Sequence, residues 1–400
     1  MSRAGPLDGV RVIEFGNLVA APYCGMLLGD LGAEVIKVEP TSGDLARAIG
    51  PFINGESAFF MAVNRGKSSV AADPKVPAVA AALRRLVTSA DVVVHNLRLG
   101  AMERMGLGPD DLMVDAPGLV YAVISAFGTT GPAAGRAGID LVFQGESGMM
   151  SITGGEGEDP HKTATTIGDF VAGTNAAVAI CAALVSRSVS GKGRLVEVSL
   201  RDGLIAVQAG WNAQFLATGR QPGRTGTASP VTAPNQTFRT GDGHINVAVV
   251  SDRHFGEVCR LLSLDDLVND PRFADNASRV SNRRDLAHLI ESVLVMQSTD
   301  HWMRLLGEAG LPVGRLLDLS AVFEDPQVLH NEMLVEMEHQ TAGAIKVSGS
   351  PLFIDGEPAR ARRPPPTLGD ESRSVLLATG LSNEEIDQLV ADQAVVSGGW

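Results

Sequence analysis

The sequence predicts an α/β fold: a doubly wound parallel sheet joined to a second, smaller α/β domain. Three observations carry this. Up to residue 200, short β-branched runs alternate with longer stretches of helical spacing, the pattern of successive β-α-β units. At 218–236 the chain passes into TGRQPGRTGTASPVTAPNQ, whose Gly, Pro, Thr and Ser content marks a linker. The length, 400 residues, exceeds what one comfortable core holds.

The elements follow in order. VRVIEFG (10–16) is a β-branched run ending in glycine, AAPYCGMLLGDLGA (20–33) has helical spacing with Gly25 and Gly29 one turn apart, and EVIKVEP (34–40) is a second strand stopped by proline. Small residues let that helix lie close on a sheet. SSVAADP (68–74) starts a third strand and AVAAALRRLVTSA (78–90) is a helix. DVVVHN (91–96) and LVYAVISAFG (119–128) are buried strands of the parallel type. Ligands of such sheets collect at the carboxyl ends of the strands, here Gly16-Asn17, Glu39, Asn96 and Ser125 through Gly128. FVAGTNAAVAICAALVSRS (170–188) is a helix, RLVEVSL (194–200) a strand and DGLIAVQAGWNAQFLA (202–217) a helix. Past the linker, HINVAVV (244–250) is a strand, and HFGEVCRLLSL, LAHLIESVLVM and HWMRLLGEAG are helical, a smaller domain at 225–318. EMLVEMEH (332–339) and IKVSGSPLFI (345–354) return to strand texture. RRPPPTLG (362–369) is extended, since consecutive prolines cannot join a sheet or helix interior. In LSNEEIDQLVA (381–391), Ser382 with Glu385 three residues on forms a capping box.

A net charge of −13 argues against nucleic acid or an anionic membrane as a partner. Cys24, Cys181 and Cys259 are scattered and read as small buried apolar residues. The N-terminus lacks a signal-peptide core, and the longest apolar run, 170–185, is too short and too polar-interrupted to span a bilayer. A cytoplasmic setting is the expectation.

Several chemistries are excluded by motif. The first β-α turn, GNLVAAPYCG, has Leu18 and Ala21 where a dinucleotide fingerprint needs glycines, so NAD is not expected. Walker A and G-x-S-x-G sequences are absent, since GESGM (145–149) has its serine one place wrong. The eight histidines form no metal-binding array, and His244, His254 and His301 read as surface or partly packed residues. One acidic residue stands out. Asp169 lies in TTIGDFVAGTNAA (165–177), between Gly168 and an apolar helix. As an N-cap its carboxylate accepts a first-turn N–H. The same helix terminus favours the ionised form, and an ionised aspartate in a partly dry pocket is a nucleophile toward activated carbonyls. Local sequence leaves both readings open.

Separated segments, in order, resemble the family III CoA-transferases, the group of formyl-CoA transferase and carnitine CoA-transferase. They are LDGVRVIEFGNLVAAPYCGMLLGDLGAEVIKVEP (7–40), NRGKSSVAAD (64–73), NLRLGAMERMGL (96–107), FGTTGPAAGRAGIDLVFQGESGMMSITG (127–154), GDFVAG (168–173), GKGRLVEVSL (191–200) and PTLGDESRSVLLATGLSNEEI (366–386). Asp169 falls on the family's catalytic aspartate in G-D-x-x-x-G. The resemblance implies a Rossmann-like large CoA-binding domain built from both chain ends. Its first part is 1–217 and its last part, with a return linker, 319–400. It also implies an inserted small domain and an interlocked homodimer.

The substrate implied is an acyl-CoA with a carboxylic acid acceptor, with no metal. By resemblance Leu18, Val19 and Ala20 form a backbone-lined edge of the CoA slot, Asn96 and Arg104 contact CoA, and Arg47, Lys67 and Arg98 are further phosphate ligands. Formyl-CoA transferase has glutamine where Val19 stands and a glycine-rich loop where this chain has TGTASPVTAPNQ. That difference argues against oxalate and formate and for a larger or less polar acid. The alternative within the superfamily, an α-methylacyl-CoA racemase, needs a base on each face of the substrate. Its histidine lies in G-H-D-x-N-Y, and here Gly138-Ile139-Asp140-Leu141-Val142-Phe143 puts isoleucine at that place. A non-catalytic acyl-CoA-binding protein is the third reading, opposed by the retention of Asp169.

Overall fold

A computed structural model describes residues 5–398. The chain divides into two compact units: 1–149, 163–217 and 326–400 form one, and 150–162 with 218–325 the other. Segment 150–162, which the sequence reading left with the large domain, therefore joins the second unit.

The first unit is built on β1 (Arg11–Phe15), α1 (Ala20–Asp30), β2 (Glu34–Glu39), β3 (Lys67–Ala72), α2 (Pro77–Thr88), β4 (Val92–His95), the short α3 (Ala101–Arg104), β5 (Val120–Ser125), α4 (Asp140–Glu146), α5 (Ile167–Ser190), β6 (Leu195–Ser199), α6 (Leu200–Val207) and α7 (Ala209–Thr218). Strands β3-β2-β1-β4-β5-β6 run parallel in that order. The order reverses between β1 and β4, which opens a crevice at their carboxyl ends.

Alternate strand residues face opposite layers. Ile13, Ile36, Val70, Val93 and Tyr121 pack with Val79, Leu83 and Leu86 of α2 on one side. Val12, Val35, Val92, Val94 and Ala122 pack with α1 and with Ala172, Ala176 and Ile180 of α5 on the other. Glycine makes the α1–α5 contact close: a Cβ on Gly173 would lie 2.6 Å from the Ala20 carbonyl oxygen. Helix α5 has 24 residues and ends at Gly191 with φ of 69°. It is longer than the apolar run suggested and would suffice by length and composition to cross a membrane. Here one of its faces is buried against α1 and the sheet instead.

The chain's last segments seal the β3 edge. After α8 (Ser372–Ala378) and α9 (Asn383–Ala391), strand β7 (Val395–Val396) pairs antiparallel with Ala71 and Ala72. Ahead of it, Asp370 Oδ1 accepts the Ser69 N–H at 2.7 Å and Ser372 Oγ accepts the Ala71 N–H at 3.0 Å. The capping box at Ser382 and Glu385 is formed.

The second unit holds a three-stranded antiparallel sheet, with Asn235–Arg239 and Val313–Arg315 on either side of His244–Ala248. Phe238, Ile245, Val247, Phe255, Phe273, Ile290 and Trp302 fill its core. Its first strand starts at Asn235, inside the segment read as linker. The single helix expected at 202–217 is two helices, broken at Gln208, whose side-chain amide donates to the Leu204 and Ser147 carbonyls.

Candidate active site

A cleft of about 570 Å³ opens where the strand order reverses, lined by Asn17, Leu18, Asn96, Arg98, Ser125, Arg136, Ile139, Asp140 and Asp169, among others. Its floor is the first β-α turn. Gly16, Asn17 and Leu18 are each tethered. The Gly16 carbonyl accepts Lys37 Nζ at 2.8 Å. Asn17 exchanges two hydrogen bonds with the Asn96 amide, each 2.9 Å. The Leu18 N–H donates to Asp44 Oδ1 at 3.0 Å. Leu18 has φ of 62°, the left-handed region, which costs a non-glycine residue about 1–2 kcal/mol. Such strain persists only where the surroundings over-determine it.

Beneath the turn lies a buried ionic network. Lys37 pairs with Glu14 at 2.9 Å and Asp44 at 2.8 Å, and Lys67 pairs with Glu14 at 2.8 Å, with all four side chains fully buried. Lys67 Nζ also donates to the Pro22 carbonyl and Asn64 Oδ1. Burial works against the Glu14 carboxylate, but the two ammonium groups hold it below the usual carboxylate range. Gly25 is glycine because a Cβ there would fall on Glu14 Oε2.

Asp169 sits in the first turn of α5, whose N-cap residue, Thr166, makes no side-chain cap bond. The capping role belongs to Asp140 in α4, whose Oδ1 accepts the Gly168 N–H at 2.8 Å. Asp140 Oδ2 accepts Gln144 Nε2 at 2.5 Å, and Gln144 Oε1 accepts the Thr163 N–H at 2.8 Å, so the loop entering α5 is held from below. A Cβ on Gly168 would meet Asp140 Oδ1 at 2.9 Å. The Asp169 carboxylate is left without a hydrogen bond or ion pair among the described residues. Burial first, and the Asp140 charge second, push its carboxyl up to about 7.

The cleft brings together Leu18, Asn96, Arg98 and Asp169 of the residues singled out from sequence. Val19 and Ala20 follow Leu18 with their side chains buried. Arg98 is exposed and free of ion pairs among the described residues, as is Arg104, which stands on α3 outside the cleft lining. Two expectations are corrected. Lys67 has all its donors committed to Glu14, Pro22 and Asn64 in a fully buried setting, so it braces the turn and offers nothing to a phosphate in solvent. Arg47 forks onto Glu39 at 2.8 Å, donates to the Pro366 carbonyl and lies over the Phe60 ring, so its guanidinium is likewise engaged.

Sequence reasoning did not assign roles to Asp44, Arg136 or Asp140. Arg136 reaches the cleft from the loop before α4, stacked over Phe127 and paired with Glu146. Its position inside a segment quoted for the resemblance was the available signal.

The chain matches the model of CoA-transferase family III over residues 7–372. It is 37% identical to mouse succinyl-CoA:glutarate CoA-transferase over 93% of this chain and 86% of that protein. It is 36% identical to succinate–glutarate CoA-transferase of Agrobacterium fabrum, covering 94% and 96%. The crystal structure of a CAIB/BAIF family protein from Brucella suis superposes with a TM-score of 0.85 at 34% identity, over 94% of this chain and all of the other (100%).

Proposed function

This chain belongs to CoA-transferase family III, and from that premise we propose that it moves coenzyme A between acids through a covalent intermediate on Asp169. The observation that carries the reading is the unengaged Asp169 carboxylate, half-buried at the wall of a cleft large enough for a thioester and its pantetheine arm. Asp169 attacks the carbonyl of the donor thioester. The C–S bond breaks, CoA leaves as thiolate, and the acyl group stays on Asp169 as a mixed anhydride. The thiolate attacks the aspartyl carbonyl, releasing the donor acid and leaving an aspartyl-CoA thioester. The acceptor carboxylate attacks that thioester to give a second anhydride, and the returning thiolate takes the acceptor acyl group. Asp169 is regenerated and no net proton moves.

Each step exchanges acyl compounds of similar energy, so the site has to position the groups and exclude water. Arg98 serves the CoA phosphates at the cleft, with Arg104 on α3 as a second cation. Ile139, 65% exposed, gives the cleft an apolar side where an isomerase needs a base. The acceptor is a short dicarboxylic acid larger than oxalate, in keeping with the two relatives named for succinate and glutarate.

The active form is a homodimer of interlocked chains. Support comes from apolar residues on the outer surfaces of α5 and α7: Val178, Val185, Val189 and Leu216 are 65–88% exposed. Exposed apolar surface of this kind is what subunit contact buries.

The test is incubation with succinyl-CoA and a panel of mono- and dicarboxylic acids, followed by mass spectrometry of products and intact protein. CoA changing hands, with an adduct on the Asp169 peptide that hydroxylamine removes, supports the mechanism. α-Carbon label exchange without a change of acyl partner would sink it, as would full transfer by Asp169→Asn. Light scattering of the purified chain tests the dimer.

A further inference from the structure

The first β-α turn is fastened at three successive residues, and the last fastening holds the strained one. Asp44 is 2% exposed. Its Oδ1 accepts the N–H groups of Leu18 at 3.0 Å and Ala46 at 2.8 Å. Its Oδ2 pairs with Lys37 at 2.8 Å, and its own N–H donates to Glu39 Oε2 at 2.9 Å. An acceptor anchored at both ends thus meets the one N–H whose residue has left-handed backbone in this turn, Leu18 with φ of 62°.

What the turn positions is the cleft wall beside Asp169. Leu18 and Asp169 line the same cleft. Helix α1 begins two residues after Leu18, and its Ala20 carbonyl abuts Gly173, which lies one turn after Asp169 on the same face of α5. Tyr23 of α1 meets Phe170, the neighbour of Asp169, edge-on with ring centroids 4.8 Å apart. A change of backbone at Leu18 therefore re-aims the start of α1 against the turn that carries the nucleophile.

We infer that Asp44 is a positioning residue for CoA transfer, holding Leu18 in its left-handed conformation so that the cleft wall stands in register with Asp169. This rests on the transferase reading above and adds a residue that touches no substrate.

A double-mutant cycle tests it, with kcat and KM measured for wild type, Asp44→Ala, Leu18→Gly and the double variant. Asp44→Ala lowers kcat about 10- to 100-fold, the scale of a slight misplacement of reacting groups, with little change in KM. In the Leu18→Gly background, where glycine adopts the left-handed conformation unaided, the same substitution costs less than about threefold. Equal penalties in both backgrounds would mean that Asp44 acts only through Lys37 and Ala46, and would overturn the inference. Asp44→Asn, which keeps the acceptor oxygen, retains most of kcat; a loss matching alanine's overturns it too. Should Asp44→Ala fail to fold, Leu18→Val and Leu18→Gly decide. The branched side chain resists the left-handed region, so Val falls about tenfold or more below Gly, and equal activities refute. Wild-type protein that moves no CoA retires the transferase reading itself, whereas an active wild type with an additive cycle retires only the role of Asp44.

Discussion

Replacing the nucleophile should make the protein more stable. The Asp169 carboxyl ionises near 3.8 in an open chain and at about 7 in the fold, because burial and then the Asp140 charge oppose ionisation. The folded state therefore keeps its proton across the interval between those values. The stability this contributes is complete below the lower value and is lost as pH rises through the upper one. That interval corresponds to about 4 kcal/mol, and the partial exposure of Asp169 reduces this to about 2–3 kcal/mol. An amide in its place would carry no charge to bury, so Asp169→Asn gains nothing at about pH 4, about half the benefit near pH 5.5 and the whole of it above about pH 8. Chemical denaturation of wild type and Asp169→Asn at a series of pH values measures the difference directly. A variant less stable than wild type at pH 8, or an advantage that does not vary with pH, would refute the placement of a charge-disfavouring carboxyl in this cleft.

Other outcomes follow from the same geometry. The acid limb of the kcat/KM profile should have its midpoint near pH 7, because attack needs the Asp169 carboxylate, and Asp140→Asn should move that midpoint to lower pH by removing the neighbouring charge. Lys67→Ala should leave the buried Glu14 Oε2 without its cation, with Lys37 still paired to Oε1, and cost about 3–5 kcal/mol in denaturant unfolding. Arg98→Ala, exposed and unpaired, should leave stability within about 0.5 kcal/mol and raise KM for acyl-CoA, more so at low salt. Gly173→Ala should cost about 1–3 kcal/mol, read from the same unfolding curves, because its Cβ would press on the Ala20 carbonyl at 2.6 Å and on Tyr23 at 3.1 Å.

The parallel sheet was legible because its strands are buried on both faces and so appear as continuous β-branched runs between Ala-rich helices, as in DVVVHN and LVYAVISAFG. The carboxyl ends of the strands, where the cleft lies, were legible for the same reason, whereas the reversal of strand order between β1 and β4 shows only in the assembled sheet. What stayed hidden depends on partners far apart in the chain. Lys67 reads as a phosphate ligand until β3 lies beside β2 and α1, and Glu14 of β1 comes within reach of it. Asp140 and Gly168 are 28 residues apart, so nothing local says that Asp140 relieves Asp169 of capping. The left-handed backbone at Leu18 carries no sign at all, because leucine is not a residue chosen for such a turn.

The edge of β3 has a consequence for how the protein is made. Its outward backbone groups are answered by Asp370, Ser372 and finally Val395 and Val396, about 300 residues downstream. While the polypeptide is still being synthesised, that strand is a bare template for pairing with any extended segment nearby. Chaperone demand and the yield of shortened chains should both be governed by the interval between translation of β3 and arrival of the closing residues.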